Sequence, residues 1–153
     1  MGFREWLLVM TTVLYVYAAG GCWMLQVVAY PTYHLVGTTD FVPFHGAFGK
    51  RLIPVFVVPA VLACWASFAL VFFRPTALPL WAALLVAALS VVILATTLLI
   101  EVPKHNALDH DGKSSVLIDG LVQNNLPRVI SWTLGSVVLI AMLVRVLSGI
   151  ALA

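Results

Sequence analysis

LWAALLVAALSVVILATTLLIEVPKHNALDHD, residues 80–111, decides how the rest of the chain is read. From Leu80 to Ile100 the stretch is apolar apart from Ser90, Thr96 and Thr97. That is long enough to cross a hydrocarbon layer of roughly 30 Å, which takes about twenty helical residues. The run then meets Glu101, Lys104, His105, Asn106, Asp109, His110 and Asp111 in quick succession. A helix leaving a bilayer needs only a few polar side chains to reach water. This one arrives at groups able to bind a metal or carry protons.

Working outward, similar apolar runs cover roughly 6–29, 52–73 and 126–147, so the expected spans are four with 80–100 included. The first run is too long for a secretory leader, continues into Trp23 and Met24, and shows no small-residue cleavage site, so it is read as a span. Residues 1–153 are expected to form a single all-α domain. It is an integral membrane four-helix bundle running up-down-up-down, with two long loops on the same side. Composition agrees: 63% of residues are apolar and 9% charged, with a net charge of +2 that gives nucleic acid no basis. Cys22 and Cys64 lie inside apolar runs without a CxxC pair, which argues against thiol exchange.

Pro31 is expected to kink or end the first span, because the residue before a proline is pushed away from helical angles. A loop from about Thr32 to Lys50, TYHLVGTTDFVPFHGAFGK, follows. Thr39 or Asp40 could cap an early start of the second span, and Pro54 and Pro59 should bend it. Small residues at Ala18–Gly21, and at Ala83 and Ala87, suit close helix packing. Residues 74–79 form a short turn, and the segment from Glu101 to about Asn125 is the longest polar one. This layout puts all four histidines, His34, His45, His105 and His110, on one face of the bundle with every acid except Glu5. The Lys and Arg count favours that face in the cytoplasm, five against three, while Arg4 beside the first span points the other way. A faint repeat relates Tyr30–Pro31–Thr32–Tyr33–His34 to Val102–Pro103–Lys104–His105, and Arg51 to Arg128.

Glu101 and His105 are four apart, as are His105 and Asp109, which on a helix sets each pair on one face. With His34 and His45 from the first loop, His105 and Glu101 supply enough nitrogen and oxygen ligands for a transition metal, Fe or Cu foremost. The plain alternative is that loop histidines are solvated. It is preferred for Asp109, His110, Asp111 and Lys113, because HDGKSS reads as an exposed turn. It is not preferred for Glu101, since ionisable groups at membrane depth are costly and face a cavity or a partner. Arg128 is the expected partner of Glu101, against the alternative of an arginine snorkelling to headgroups. Asn125 reads as the cap of the fourth span. Trp132 reads as an interface anchor, or as a wall against an aromatic ligand. Tyr30, Tyr33, Phe41, Phe44 and Phe48 would line an interfacial pocket for a flat apolar molecule.

VPKHNAL at 102–108, Phe44–His45, and Asn125, Arg128 and Trp132 opening the fourth span together resemble the anthrone-oxygenase-like family of small four-helix membrane proteins. The resemblance implies an oxidoreductase of oxygenase type, oxidising an activated carbon of a polycyclic phenolic to a quinone, in a bacterial inner membrane. Such a reaction needs a base (His45 or His105), a cation for the enolate (Arg128) and a dry pocket. Tyr30, Asn106, Asn125 and Trp132 would bind and position the substrate. Expected partners are a small hydrophobic substrate, membrane lipid and a second copy of the chain. The alternative is a non-catalytic membrane subunit that binds a lipid, quinone or pigment, or packs in a larger complex.

Overall fold

The computed structural model describes residues 2–149. Four helical rods, each long and apolar enough to cross a membrane, make up the fold: α1 (Phe3–Leu35), α2 (Thr38–Phe73), α3 (Leu80–His110) and α4 (Ser115–Leu147). No strand occurs among the described residues. In the bundle α1 packs on α2 and α4, and α3 on the same two, so the rods follow one another around a ring. Trp65, Trp81, Leu98, Leu99 and Val137 are among many large apolar side chains left exposed around the outside. Water would not tolerate an apolar girdle of that extent, so it marks an integral membrane protein.

The expected order of elements holds, but the polar segments are not loops. Helix α1 runs through Pro31 to Leu35, and α2 begins at Thr38 with Gly37 in the cap position, ahead of Thr39 and Asp40. The second polar segment is also helical. Helix α3 continues to His110, a turn at Asp111–Ser114 uses Gly112 at φ 85°, and α4 starts at Ser115 with the Ser114 side chain accepting from the Leu117 amide. The rods thus extend well past the apolar runs, and their ends pack on one another as a cap on one side of the bundle.

Proline explains how three rods stay continuous. Each contains a wide π-helical turn, at Leu25–Ala29, Ile53–Val57 and Thr97–Glu101. Each turn is centred four residues before a proline: Val27 before Pro31, Val55 before Pro59, and Leu99 before Pro103. A proline in a regular helix lacks the N–H for that carbonyl and drives its ring into it. Widening the turn moves the carbonyl aside, and the Tyr30, Val58 and Val102 amides bond five residues back instead. The carbonyl of Val55 receives a substitute donor, the Tyr17 hydroxyl, at 2.6 Å. The turns of α1 and α3 fall at equivalent places in the two hairpins, whereas α2 carries a wide turn and the described part of α4 none.

Polar ties inside the apolar layer fix the rods to one another. The Tyr15 hydroxyl donates to the Val86 carbonyl at 3.1 Å and is also bonded to Ser90, which is 2.7 Å from Ser67. These contacts join α1, α2 and α3. The Tyr15 ring packs edge-on to Trp132 at 4.7 Å and lies against Gly135, where a Cβ would strike it. Gly135→Ala should therefore cost about 1–3 kcal/mol through overpacking, seen as a lower unfolding temperature in detergent. Gly20→Ala, where a Cβ meets nothing within 4 Å, is the matched control and should leave that temperature unchanged. The small-residue patches serve this chain's own packing at Ala18 and Ala83, which are buried, and at Gly21, which faces the Phe56 ring.

Candidate functional site

The helical cap brings α2 and α3 together above the apolar layer, and four side chains form one hydrogen-bonded line there. His45 Nδ1 lies 2.6 Å from Asp109 Oδ1, His45 Nε2 lies 2.9 Å from His105 Nδ1, and His105 Nε2 lies 3.4 Å from the Tyr30 hydroxyl. An ionised carboxylate only accepts, so His45 Nδ1–H donates to Asp109. His45 Nε2 is then an acceptor and takes Nδ1–H of His105. Nε2 of His105 is left with a lone pair, weakly engaged by Tyr30. His45 is 3% exposed while Asp109 is 44% exposed, so the line runs from the interior to the surface. Tyr33 and Phe41 hold the His45 ring, at 5.4 Å edge-on and 5.6 Å stacked.

A cavity of about 430 Å³ opens beside this line, with His45, His105, Asn106 and Asp109 on its polar side and Phe48, Ile53, Val57 and Val102 among its apolar walls. Asn106, an expected substrate contact, is exposed on its wall. Tyr30, another, stands behind His105 and is fully covered.

One turn inward from His105, Glu101 faces Arg128 at 3.8 Å between Oε2 and Nη1, and both are buried at 1% and 6% exposure. The pairing expected from sequence is present, but the contact is too long for a hydrogen bond, and neither carboxylate oxygen has any other partner. Asn125 holds the cap position before Leu126, as expected, but its side chain makes no capping bond. It sits at helical angles between the two parts of α4 and turns inward, donating to Gln26 Oε1 at 2.9 Å and lying 3.6 Å from Cys22 Sγ. Trp132 is not an interface anchor. It is fully buried against Tyr15, with Nε1 unpartnered.

The four side chains expected to ligate a metal do not form one group. His34 bonds Asp119 at 2.9 Å near the surface, Glu101 faces Arg128, and both ring nitrogens of His45 are engaged. Among the described residues no cluster of three or more His, Cys, Asp or Glu is arranged to hold a metal ion, so these residues do not fit an Fe or Cu centre. Asp109, read as solvated, instead orients His45. Its spacing of four from His105 was the available signal. Lys113, also read as solvated, clamps the end of α1 by donating to the carbonyls of His34 at 2.8 Å and Val36 at 2.6 Å. Asp119 and Gln26 carried no signal in sequence. His110 and Asp111 are exposed, as expected.

No family model, curated protein or solved structure matches this chain.

Proposed function

We propose that the protein is a membrane-embedded oxidoreductase of oxygenase type, acting on a lipid-soluble polycyclic phenol or its keto tautomer. The observation that carries this reading is the line Asp109–His45–His105–Tyr30 beside a cavity of about 430 Å³. Such a line is suited to removing a proton from a bound molecule and passing it to water. His105 Nε2 is the base, because it is the ring nitrogen of the histidine pair without a short hydrogen bond, its contact with Tyr30 being 3.4 Å. As it takes a proton, His105 Nδ1–H passes to His45 Nε2 and His45 Nδ1–H passes to Asp109, which faces solvent. A side chain positioned in this way contributes about 10²–10⁴-fold to rate.

For an anthrone the abstracted proton comes from the methylene carbon opposite the carbonyl, leaving an electron-rich enolate. Molecular oxygen is the oxidant and supplies the new oxygen atom. The carbanion carbon bonds to O₂, the peroxide takes up a proton, and loss of water leaves the second carbonyl. The balance is anthrone plus O₂ giving anthraquinone plus water. The buried guanidinium of Arg128, with Glu101 at 3.8 Å, supplies N–H donors for the enolate oxygen on the inner side of the site. The resemblance to anthrone-oxygenase-like proteins supports the same substrate class and a bacterial inner membrane.

The test is oxygen uptake and quinone absorbance with anthrone in vesicles holding the purified protein. Oxygen consumption and quinone formation in equal amounts, faster than in empty vesicles, are expected. A rate equal to the spontaneous one would sink the reading.

A further inference from the structure

Val57, inside the wide turn of α2, is a wall of two cavities. The outer one is that of His45 and His105. The inner one, about 50 Å³, lies deeper in the same seam between α2 and α3 and is lined by Phe56, Ala60, Cys64, Ile93, Arg128 and Trp132 among others. On the outside of the seam Val57 and Val61 are each 38% exposed, on the apolar girdle.

Behind this small cavity α4 presents buried polar atoms without partners: Arg128 Nε, Trp132 Nε1 and Ser136 Oγ. They recur every fourth residue, so they stand on one face of the helix. Arg128 is 6% exposed and Trp132 is fully covered. A buried donor left unpaired is costly, more so where no bulk water reaches it. Arg128 and Trp132 line the cavity and call for an acceptor there. The remaining walls are apolar apart from the Cys64 thiol and Thr97, whose hydroxyl already donates to the Ile93 carbonyl at 2.7 Å. Glu101 already offsets the arginine charge at 3.8 Å, so a neutral acceptor suits the place better than a second anion.

We infer that the inner cavity receives the carbonyl oxygen of a flat, lipid-soluble ketone or quinone that arrives from the bilayer through the seam at Val57 and Val61. The ring body then lies in the outer cavity against His105. This deepens the proposed reaction by naming the end of the substrate that is anchored, and it rests on that reading only for what happens after binding. Oxygens at opposite ends of a fused ring fit the arrangement, one edge at Arg128 and Trp132 and the reacting edge at the histidines.

Binding is tested without turnover, by alkylation of Cys64 in the inner cavity. The protein in liposomes is treated with N-ethylmaleimide, and the Cys64 and Cys22 adducts are read separately by peptide mass spectrometry. Anthraquinone is expected to slow Cys64 alkylation, while anthracene, the same ring system without oxygen, is not. Trp132→Phe keeps the aromatic body and removes the N–H. It should raise the anthraquinone concentration needed for protection about tenfold, the usual effect of losing one such bond. Val57→Trp, at a position facing lipid, should fill the seam and slow Cys64 alkylation relative to wild type to one rate, the same with and without anthraquinone, even if the Trp132 variant does not fold. Equal protection by both ring compounds, undiminished protection in folded Trp132→Phe, or a wild-type Cys64 that the reagent never reaches would each overturn the inference. Protection by anthraquinone without anthrone oxidation would sink the proposed reaction and leave the pocket standing. Oxidation without protection would do the reverse.

Discussion

His105→Ala in vesicle-reconstituted protein is expected to lower kcat for anthrone oxidation by about 10²–10⁴-fold, the usual contribution of a positioned base. The same substitution should change the unfolding temperature little, since His105 is partly exposed at a cavity wall. Asp109→Asn should fall between wild type and His105→Ala. An amide can still accept from His45 Nδ1–H, but it cannot take up the relayed proton. A His105→Ala protein that kept more than about a tenth of wild-type activity would remove the base from the mechanism, because no positioned proton acceptor is worth so little.

The second large effect is on stability. Arg128→Leu alone should destabilise the protein by about 3–5 kcal/mol, and Glu101→Leu by a similar amount, because each leaves the other charge buried and unpaired. The double variant should recover most of that loss, since two apolar side chains then meet where two charges were. Unfolding of all four proteins in detergent completes the cycle. A double variant as unstable as the sum of the two singles would show that Glu101 and Arg128 do not act as a pair. The unmet hydrogen bonds of both groups argue that the pair is kept for something other than stability.

The bundle was legible because four uninterrupted apolar runs leave a chain little choice once water is excluded. An early helical start of the second span was legible at Thr39 or Asp40, close to the observed Thr38, but Gly37, Pro43, Gly46 and Gly49 punctuate that segment and give it the look of a loop. Phe41, His45, Phe48 and Leu52 nevertheless recur at helical spacing, and the structure turns all four inward or toward the cavity. Periodicity was the better guide there than breakers. His45, His105, Glu101 and Arg128 could be singled out as ionisable groups next to apolar runs. Their partners could not all be. Asp109 was obscured by the turn residues behind it, and the pairing of His34 with Asp119 joins positions 85 apart in sequence. Trp132 reads the same from sequence whether it faces lipid or the bundle, because a tryptophan near a helix start suits both.

The wide turn at Thr97–Glu101 places one more residue in a helical circuit than a regular helix would. One residue of an α-helix corresponds to about 100° of rotation about its axis. Everything beyond the turn, from Val102 to His110, is therefore offset in azimuth from the apolar part of α3 by about that angle. His105 meets His45, and Asp109 reaches it from the next turn, only with that offset in place. Pro103, which enforces the turn and carries no proton, thus acts as the setting screw for the face of α3 that bears His105 and Asp109. The membrane-crossing part of α3 can then be shaped by lipid and by its neighbours in the bundle, while the direction in which its histidine points is fixed separately, by one ring.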